Sequence, residues 1–235
     1  MKHFFISVII PTLNEEKYIK KTLLSLRNQD YEGKYEIIVA DSCSKDKTVD
    51  IAKKYADKVV LVKKMSPGAG RNAGAKEAKG NILLFIDADT IAIPNLLKVV
   101  EKTFKNEKVI AAIPPMLPLE YGKHLITFIL ANEFGLKLLI KLKNPILPTV
   151  CLACKKNIFL RTGGFDDNLK CVEDLEFSSR LKKYGGKIIF MKDTFVLASP
   201  RRFKKWGFLK SMRAWPLGYL DLKLYNKTPK YNPIR

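Results

Sequence analysis

Along this chain, short apolar runs closed by polar or turn residues alternate with stretches in which apolar positions recur every three or four residues. The first pattern predicts buried strands and the second amphipathic helices. Phe4 to Ile10 is the first run; after Asn14-Glu15-Glu16, which is placed to open a helix, Ile19, Leu23 and Leu26 keep helical spacing. Glu36 to Ala40 predicts a second strand ending at Asp41, and Lys47 to Tyr55 a second helix that Ser44 or Asp46 is placed to cap. Lys58 to Val62 then reads as strand, Gly70 to Lys79 as a helix entered through Gly68-Ala69-Gly70, and Asn81 to Ile86 as strand. This alternation calls for right-handed crossovers and an α/β fold: a Rossmann-like, mostly parallel central sheet with helices on both faces. Such sheets bind ligands at the carboxyl ends of their strands, so Pro11, Asp41 and Asp87 are expected on one rim.

The regular order continues through a helix at Pro94 to Phe104 and a strand at Val109 to Ile113, then fails at Pro114-Pro115-Met116-Leu117-Pro118. Beyond it, Leu125 to Leu142 predicts a long helix, Val150 to Ala153 a strand and Gly163-Gly164-Phe165-Asp166 a tight turn. Leu175 to Tyr184 predicts an amphipathic helix with Leu175, Phe177 and Leu181 inward and Glu173-Asp174 at its start; Lys187 to Phe190 and Phe195 to Leu197 complete the strands. The longest apolar stretch, Leu125 to Ile140, is interrupted by Asn132, Glu133 and Lys137 and makes a poor membrane span. Phe4 to Ile10 lacks the flanks of a signal peptide.

Composition narrows the partners. The 235 residues, 47% of them hydrophobic, suffice for one well-filled α/β domain with an appendage, while a formal net charge of +20 draws in nucleotide phosphates, anionic lipid or nucleic acid. No nucleic-acid motif accompanies the charge, and acids aligned at strand ends would repel a phosphate backbone, so nucleic acid is not expected. From Pro200 to Arg235, ten Lys or Arg residues face one acid, Asp221, and are interleaved with Phe203, Trp206, Phe208, Trp215, Tyr219, Tyr225 and Tyr231. A basic aromatic C-terminal extension of this kind suits an anionic membrane interface, or equally a helix packed on the domain with a solvated basic side. The four cysteines, Cys43, Cys151, Cys154 and Cys171, are too scattered for a disulfide framework, and the single Cys-x-x-Cys lacks the partners of a zinc site. A reduced, cytoplasmic setting is expected. A single glutamine, Gln29, beside abundant Lys and Ile resembles hyperthermophile composition.

The chemistry centres on Ile82-Leu83-Leu84-Phe85-Ile86-Asp87-Ala88-Asp89, a buried strand ending in two acids. Carboxylates one residue apart repel unless a cation, hydroxyl or ordered water lies between them, which points to a divalent metal or a polyhydroxy ligand; a solvated turn is the plainer alternative. The blocks Ser7 to Glu16, Ile37 to Asp41, Ala69-Gly70-Arg71-Asn72-Ala73-Gly74, Phe85 to Asp89, Gly163 to Asp166 and Glu173-Asp174-Leu175-Glu176 occur in one order. Together they resemble the family 2 glycosyltransferases, over roughly Val8 to Tyr184.

That resemblance implies the GT-A fold, a UDP-, GDP- or dTDP-sugar donor, inversion at the anomeric carbon, and a hydroxyl or lipid-linked glycan acceptor. It implies a glycosyltransferase domain over 1–199, with a nucleotide-binding half at 1–113 and an acceptor-side half at 114–199, followed by the tail at 200–235. Carried over by position, Pro11, Thr12, Leu13 and Glu15 would line the base and ribose pocket and Asp41 would bond the base. Asp87 would contact ribose, with Ala88 between the acids, and Asp89 would hold Mg²⁺ or Mn²⁺ against the diphosphate. Arg71 would add positive charge at the phosphates or base, the alternative being a surface salt bridge. Glu173-Asp174 matches the acceptor-side acids, with Asp174 as the base that deprotonates the acceptor hydroxyl and Glu173 positioning acceptor or sugar. In isolation, the same acids would merely suit a helix N-terminus.

One departure concerns the metal. Many relatives carry a His after the acidic pair, where this chain reads Val196-Leu197-Ala198-Ser199-Pro200-Arg201-Arg202-Phe203, and its two histidines, His3 and His124, lie in other blocks. Arg201 and Arg202 are placed to grip the diphosphate instead. A sugar-phosphate nucleotidyltransferase is the competing class, but it opens with a Gly-rich basic loop, whereas the first strand here exits into Pro11-Thr12-Leu13-Asn14. The expected setting is peripheral, on the cytoplasmic face of a membrane.

Overall fold

The computed structural model describes residues 3–206, apart from positions 121, 123, 124, 126, 127, 130 and 170. The expectations for Phe208, Trp215, Tyr219, Tyr225 and Tyr231, for His124 and for the side chains of Arg202, Phe203 and Trp206 lie outside the described residues.

A seven-stranded sheet forms the centre, in the order β3-β2-β1-β4-β8-β6-β9. Its strands are β1 (Ile6–Thr12), β2 (Tyr35–Asp41), β3 (Lys58–Leu61), β4 (Ile82–Ile86), β6 (Val109–Ile113), β8 (Cys151–Lys155) and β9 (Lys187–Phe190). A small sheet of β5 (Thr90–Ala92), β10 (Val196–Ala198) and β7 (Met116–Pro118), in that order, stands beside it. The pairs β1·β2, β2·β3, β1·β4 and β6·β9 are parallel, while β8 runs antiparallel to both β4 and β6. The sheet is thus mostly parallel with one reversed strand, and its order turns back between β1 and β4, the crevice where open α/β sheets bind ligands.

Side-chain alternation divides the core into two layers. On β4, Ile82, Leu84 and Ile86 enter one layer and Leu83 and Phe85 the other. The first layer also holds Ile19, Leu23 and Leu26 of α1 (Ile19–Arg27), Ala52 of α2 (Thr48–Tyr55) and Leu96, Leu97, Val100 and Phe104 of α4 (Leu96–Phe104). The second holds Ala75 of α3 (Pro67–Glu77), Phe159 of α6 (Lys156–Arg161), and Phe177 and Leu181 of α7 (Glu173–Leu181). Each fully buried aliphatic or aromatic side chain contributes about 1.5–3 kcal/mol, so the layers drive the assembly that sets the strand ends.

Several expected boundaries move, each for a local reason. Strand β1 continues through Pro11, which is tolerated because β4 pairs only with Ile6 to Ile9. The first helix begins at Ile19 rather than Asn14: Asn14 adopts φ 55°, its N–H donates to Ser44 Oγ at 2.7 Å and its side chain accepts from Lys45 N at 2.8 Å. Asp46, rather than Ser44, accepts the first amide of α2, from Thr48 N at 3.0 Å. Helix α3 starts at Pro67 under a Ser66 cap that accepts from Ala69 N at 3.1 Å, so Gly68 and Gly70 lie inside the helix instead of leading into it. Gly70 and Gly74 are small because α3 lies against β1, where a Cβ at Gly70 would stand 3.1 Å from Pro11 Cβ and one at Gly74 only 2.4 Å from Ile9 Cγ2; a Cβ at Gly68 would instead stand 3.0 Å from the Asp166 carbonyl.

Within the expected long helix the described Leu125, Phe128 and Ile129 are α-helical, Ala131–Leu136 is a π-helical turn, and a short α5 (Lys137–Lys141) follows. Asn132 Nδ2 donates to the carbonyls of Phe128 and Met116, both at 2.5 Å, and its Oδ1 accepts from Met116 N at 3.0 Å, tying this turn to β7. Cys151 and Cys154 are both buried on β8, three positions apart, and so join opposite core layers, which excludes a shared metal. No helix among the described residues is long and apolar enough to cross a membrane.

Candidate active site

The site is built where β1, β2 and β4 end. Thr12 and Asp41 lie side by side in the parallel register, and the fully buried Asp41 carboxylate accepts from Thr12 Oγ1 at 2.8 Å, Ser44 Oγ at 2.6 Å and Ser44 N at 2.8 Å. Asp41 is thereby fixed in direction, with lone-pair capacity for one more donor. Pro11 and Leu13 are partly buried on the same rim; Ala88 is buried and its carbonyl accepts from Thr22 Oγ1 at 2.7 Å.

Arg71 is not a surface salt bridge. It projects from α3 with 4% of its side chain exposed, and donates from Nη2 to Asp87 Oδ1 at 2.8 Å and from Nη1 to Glu173 Oε1 at 2.7 Å. Burial works against its charge, but Asp87 and Glu173 outweigh that and raise its pKa, so it stays a guanidinium. Its Nε is buried without a partner, and the group lies 5.6 Å from the Phe165 ring centre. Removing one member of such a buried set leaves an uncompensated charge, at a cost of about 3–5 kcal/mol.

Helix α7 begins with Glu173 and Asp174, the acids expected on the acceptor side. Phe159, Phe165 and Phe177 form a cluster with Phe85 at centroid separations of 4.6 to 5.6 Å, which seats α7 on β4. The turn before it needs Gly163 and Gly164, at φ 80° and 74°, and Asn72 clamps Phe165 by donating to its carbonyl at 2.8 Å and accepting from its amide at 2.9 Å. Arg180 reaches back from α7 to the carbonyls of Thr162 and Gly164 at 2.5 and 2.7 Å. Val172, immediately before Glu173, holds φ 57°, costly for a β-branched residue, and is packed with Cys171, Leu175 and Ile146. Burial and the neighbouring Glu173 push the Asp174 carboxyl up to about 7, against the pull of Arg71. A carboxyl titrating there can take a proton near neutral pH.

Asp89 and Glu15 meet a second arginine. Arg201, the first residue of α8 (Arg201–Trp206), donates from Nη1 and Nη2 to the two oxygens of Glu15 at 2.8 and 2.7 Å, and its Nε stands 2.9 Å from Asp89 Oδ2. Its pKa is raised: burial opposes the charge, but hydrogen bonding to Glu15 and the charge of Asp89 prevail. Among the described residues no three His, Cys, Asp or Glu side chains gather into a metal-holding set. Asp89 nevertheless offers a hard carboxylate at the rim, which fits Mg²⁺ or Mn²⁺ when a diphosphate and water supply the other ligands.

The motif blocks contain Asn72 without marking its role, Ser44 lies outside them and reads only as a helix cap, and Arg180 and Thr22 give no signal in sequence. Asn72 alone was findable, since it follows Arg71 in a quoted block and Asn is suited to clamp a glycine turn from outside.

The sequence profile described as Glycosyl transferase family 2 matches residues 7–161. The TarS protein of Staphylococcus aureus, named a poly(ribitol-phosphate) beta-N-acetylglucosaminyltransferase, is 40% identical over 99 residues, 39% of this chain and 17% of its own. The probable glycosyltransferase YdaM of Bacillus subtilis is 28% identical over 93% of this chain and 56% of its own. Among solved structures, TarS 1-349 in complex with UDP-GlcNAc superposes with a TM-score of 0.68 at 24% identity, over 85% of this chain and 58% of that one. The mannosyltransferase PcManGT from Pyrobaculum calidifontis, in complex with GDP-Man and Mn²⁺, gives 0.70 at 20% identity, over 97% and 66%. This chain therefore spans under two thirds of each of these four. With a GT-A-like sheet, acids at the ends of β2 and β4, and a profile match over more than half its length, the chain belongs to glycosyl transferase family 2.

Proposed function

We propose that the chain is an inverting glycosyltransferase that moves a sugar from a nucleotide diphosphate-sugar to an acceptor hydroxyl. The supporting observation is the Asp87–Arg71–Glu173 bridge, in which one guanidinium at the β1/β4 crevice holds Asp87 from the end of β4 and Glu173 from the start of α7. In this reading Asp41 accepts from the base, with Pro11, Thr12 and Leu13 around it, and Asp87 accepts from a ribose hydroxyl. Asp89 contributes a carboxylate oxygen to a divalent ion, which would offset charge on the nucleoside diphosphate leaving group. Glu173 orients, through Arg71, toward the reacting sugar, and Asp174 removes the acceptor hydroxyl proton as that oxygen attacks the anomeric carbon from the face opposite the diphosphate. One base suffices for such a displacement, which inverts the centre.

The family and the UDP-GlcNAc and GDP-Man complexes of TarS and PcManGT make UDP- and GDP-sugars the first donors to test. The basic stretch from Lys204 onward favours a lipid-linked acceptor at an anionic, cytoplasmic membrane face. A panel of UDP-, GDP- and dTDP-sugars, scored by thermal shift with and without Mn²⁺, tests the donor. Binding stabilises by mass action, so one nucleotide class should raise Tm. No shift with any member refutes the proposal.

A further inference from the structure

The small sheet carries Arg201 to the end of β4. Strand β10 pairs antiparallel with β5, placing Ala198 opposite Thr90, and Ser199 N donates to the Asp89 carbonyl at 3.3 Å. Two residues later the Arg201 guanidinium lies in a built setting. Its two terminal nitrogens form a fork on Glu15, which is 9% exposed, its plane lies 5.0 Å from the Tyr18 ring centre, and its Nε is left aimed at Asp89 Oδ2. A guanidinium fork is rigid, so the grip on Glu15 fixes where Nε points.

We propose that Arg201 is a tethered cation at Asp89 that a divalent ion has to displace. The inference rests on reading Asp89 as the carboxylate that meets the metal–diphosphate. A carboxylate facing a guanidinium has part of its charge already neutralised, and an incoming dication meets that guanidinium a few ångströms away in a partly desolvated rim, where like charges repel strongly. Metal and Arg201 therefore compete for Asp89. The competition links donor loading to α8: as Nε leaves Asp89, the helix that starts at Arg201 loses one of the two acids that tie it to the rim. Metal dependence in this chain then reflects exchange of one cation for another, with no third acid or histidine required among the described residues.

The test measures metal binding directly. The full chain and R201M are titrated with Mn²⁺, alone and with UDP or GDP, while electron paramagnetic resonance reports free Mn²⁺. Loss of one charge-assisted hydrogen bond is worth roughly tenfold in affinity, so R201M should bind Mn²⁺ about tenfold more tightly than the parent. Unchanged or weaker binding overturns the proposal, the weaker case marking Arg201 as a holder of the diphosphate. If R201M does not fold, hydrogen exchange of the parent decides: Mn²⁺ with nucleotide should speed exchange at the Lys204 amide, which bonds to the Pro200 carbonyl at 3.0 Å, and slower or equal exchange overturns it. If no nucleotide binds the parent chain, the functional reading fails while the Mn²⁺-only arm still decides the competition.

Discussion

Asp174 carries a stability cost that its replacement should release. Its carboxyl rises from an ordinary 3.8 to about 7, first because it is buried and second because Glu173 is beside it. A shift of that size means the ionised form is disfavoured in the native state by up to about 4 kcal/mol relative to the unfolded chain. The Asp174 carboxyl sits among several charged groups, so about 2 to 4 kcal/mol is the expected range. The sign follows from linkage. Between pH 4 and 7 the native carboxyl holds a proton that the unfolded one has lost, so its contribution falls as pH rises and is fully lost above 7. Asp174→Asn keeps the shape and the acceptor for Leu175 N, now 2.9 Å from Oδ1, without the charge. Urea unfolding should thus find the variant more stable than the parent by about 2 to 4 kcal/mol at pH 8, and nearly equal to it at pH 4. Transfer should fall by about 10²–10⁴ as the base is lost. In the parent, kcat/KM should rise tenfold per pH unit and level off near 7. A variant less stable at pH 8, or a difference that does not change with pH, refutes the assignment of Asp174 as a strained, ionisable base.

Arg71→Met should destabilise the fold by about 3–5 kcal/mol at neutral pH, read by urea unfolding, because Asp87 and Glu173 lose their shared cation. It should also move the kcat/KM profile to higher pH, since Arg71 holds the Asp174 carboxyl down. Gly74→Ala places a methyl 2.4 Å from Ile9 Cγ2 and should lower stability by about 1–3 kcal/mol despite the better helix propensity of Ala, a loss that calorimetry would register. A thiol reagent should modify the exposed Cys43 rapidly. Burial pushes the Cys154 thiol up to about 12 and Cys151 upward as well, so both should react only on unfolding, with EDTA leaving Tm unchanged.

The strand-helix alternation made the nucleotide-side half readable because parallel strands buried on both faces are short apolar runs, as Ile82 to Ile86 illustrates. The direction of β8 was not readable, since periodicity gives the face of a residue and never the sense of the strand beside it. Helix starts shift where polar side chains bind across loops: Asn14 is held by Ser44 at φ 55°, so the helical turn begins only after it, with the Glu15 carbonyl accepting from Tyr18 and Ile19. The acids of the site could be picked out individually, because Asp87, Asp89, Glu173 and Asp174 each close or open an element. What joins them could not. Arg71 and Glu173 are 102 residues apart, and Arg201 and Glu15 are 186 apart, separations over which no local pattern carries information.

Those two long pairings resolve the repulsion expected of acids one residue apart. Asp87 and Asp89 would each raise the energy of the other's charge if solvent alone screened them, yet each meets a different arginine, Arg71 at 2.8 Å and Arg201 at 2.9 Å. The two guanidiniums come from different elements, one on α3 after β3 and one on α8 after β10, and each also grips a second acid, Glu173 or Glu15. Each acid of the pair is therefore matched by its own guanidinium. It follows that Asp87 and Asp89 are coupled to different parts of the molecule: a change at Asp87 reaches Glu173 through Arg71, whereas a change at Asp89 reaches α8 through Arg201. Substituting one acid should thus disturb the pH profile of transfer, and substituting the other the anchoring of α8.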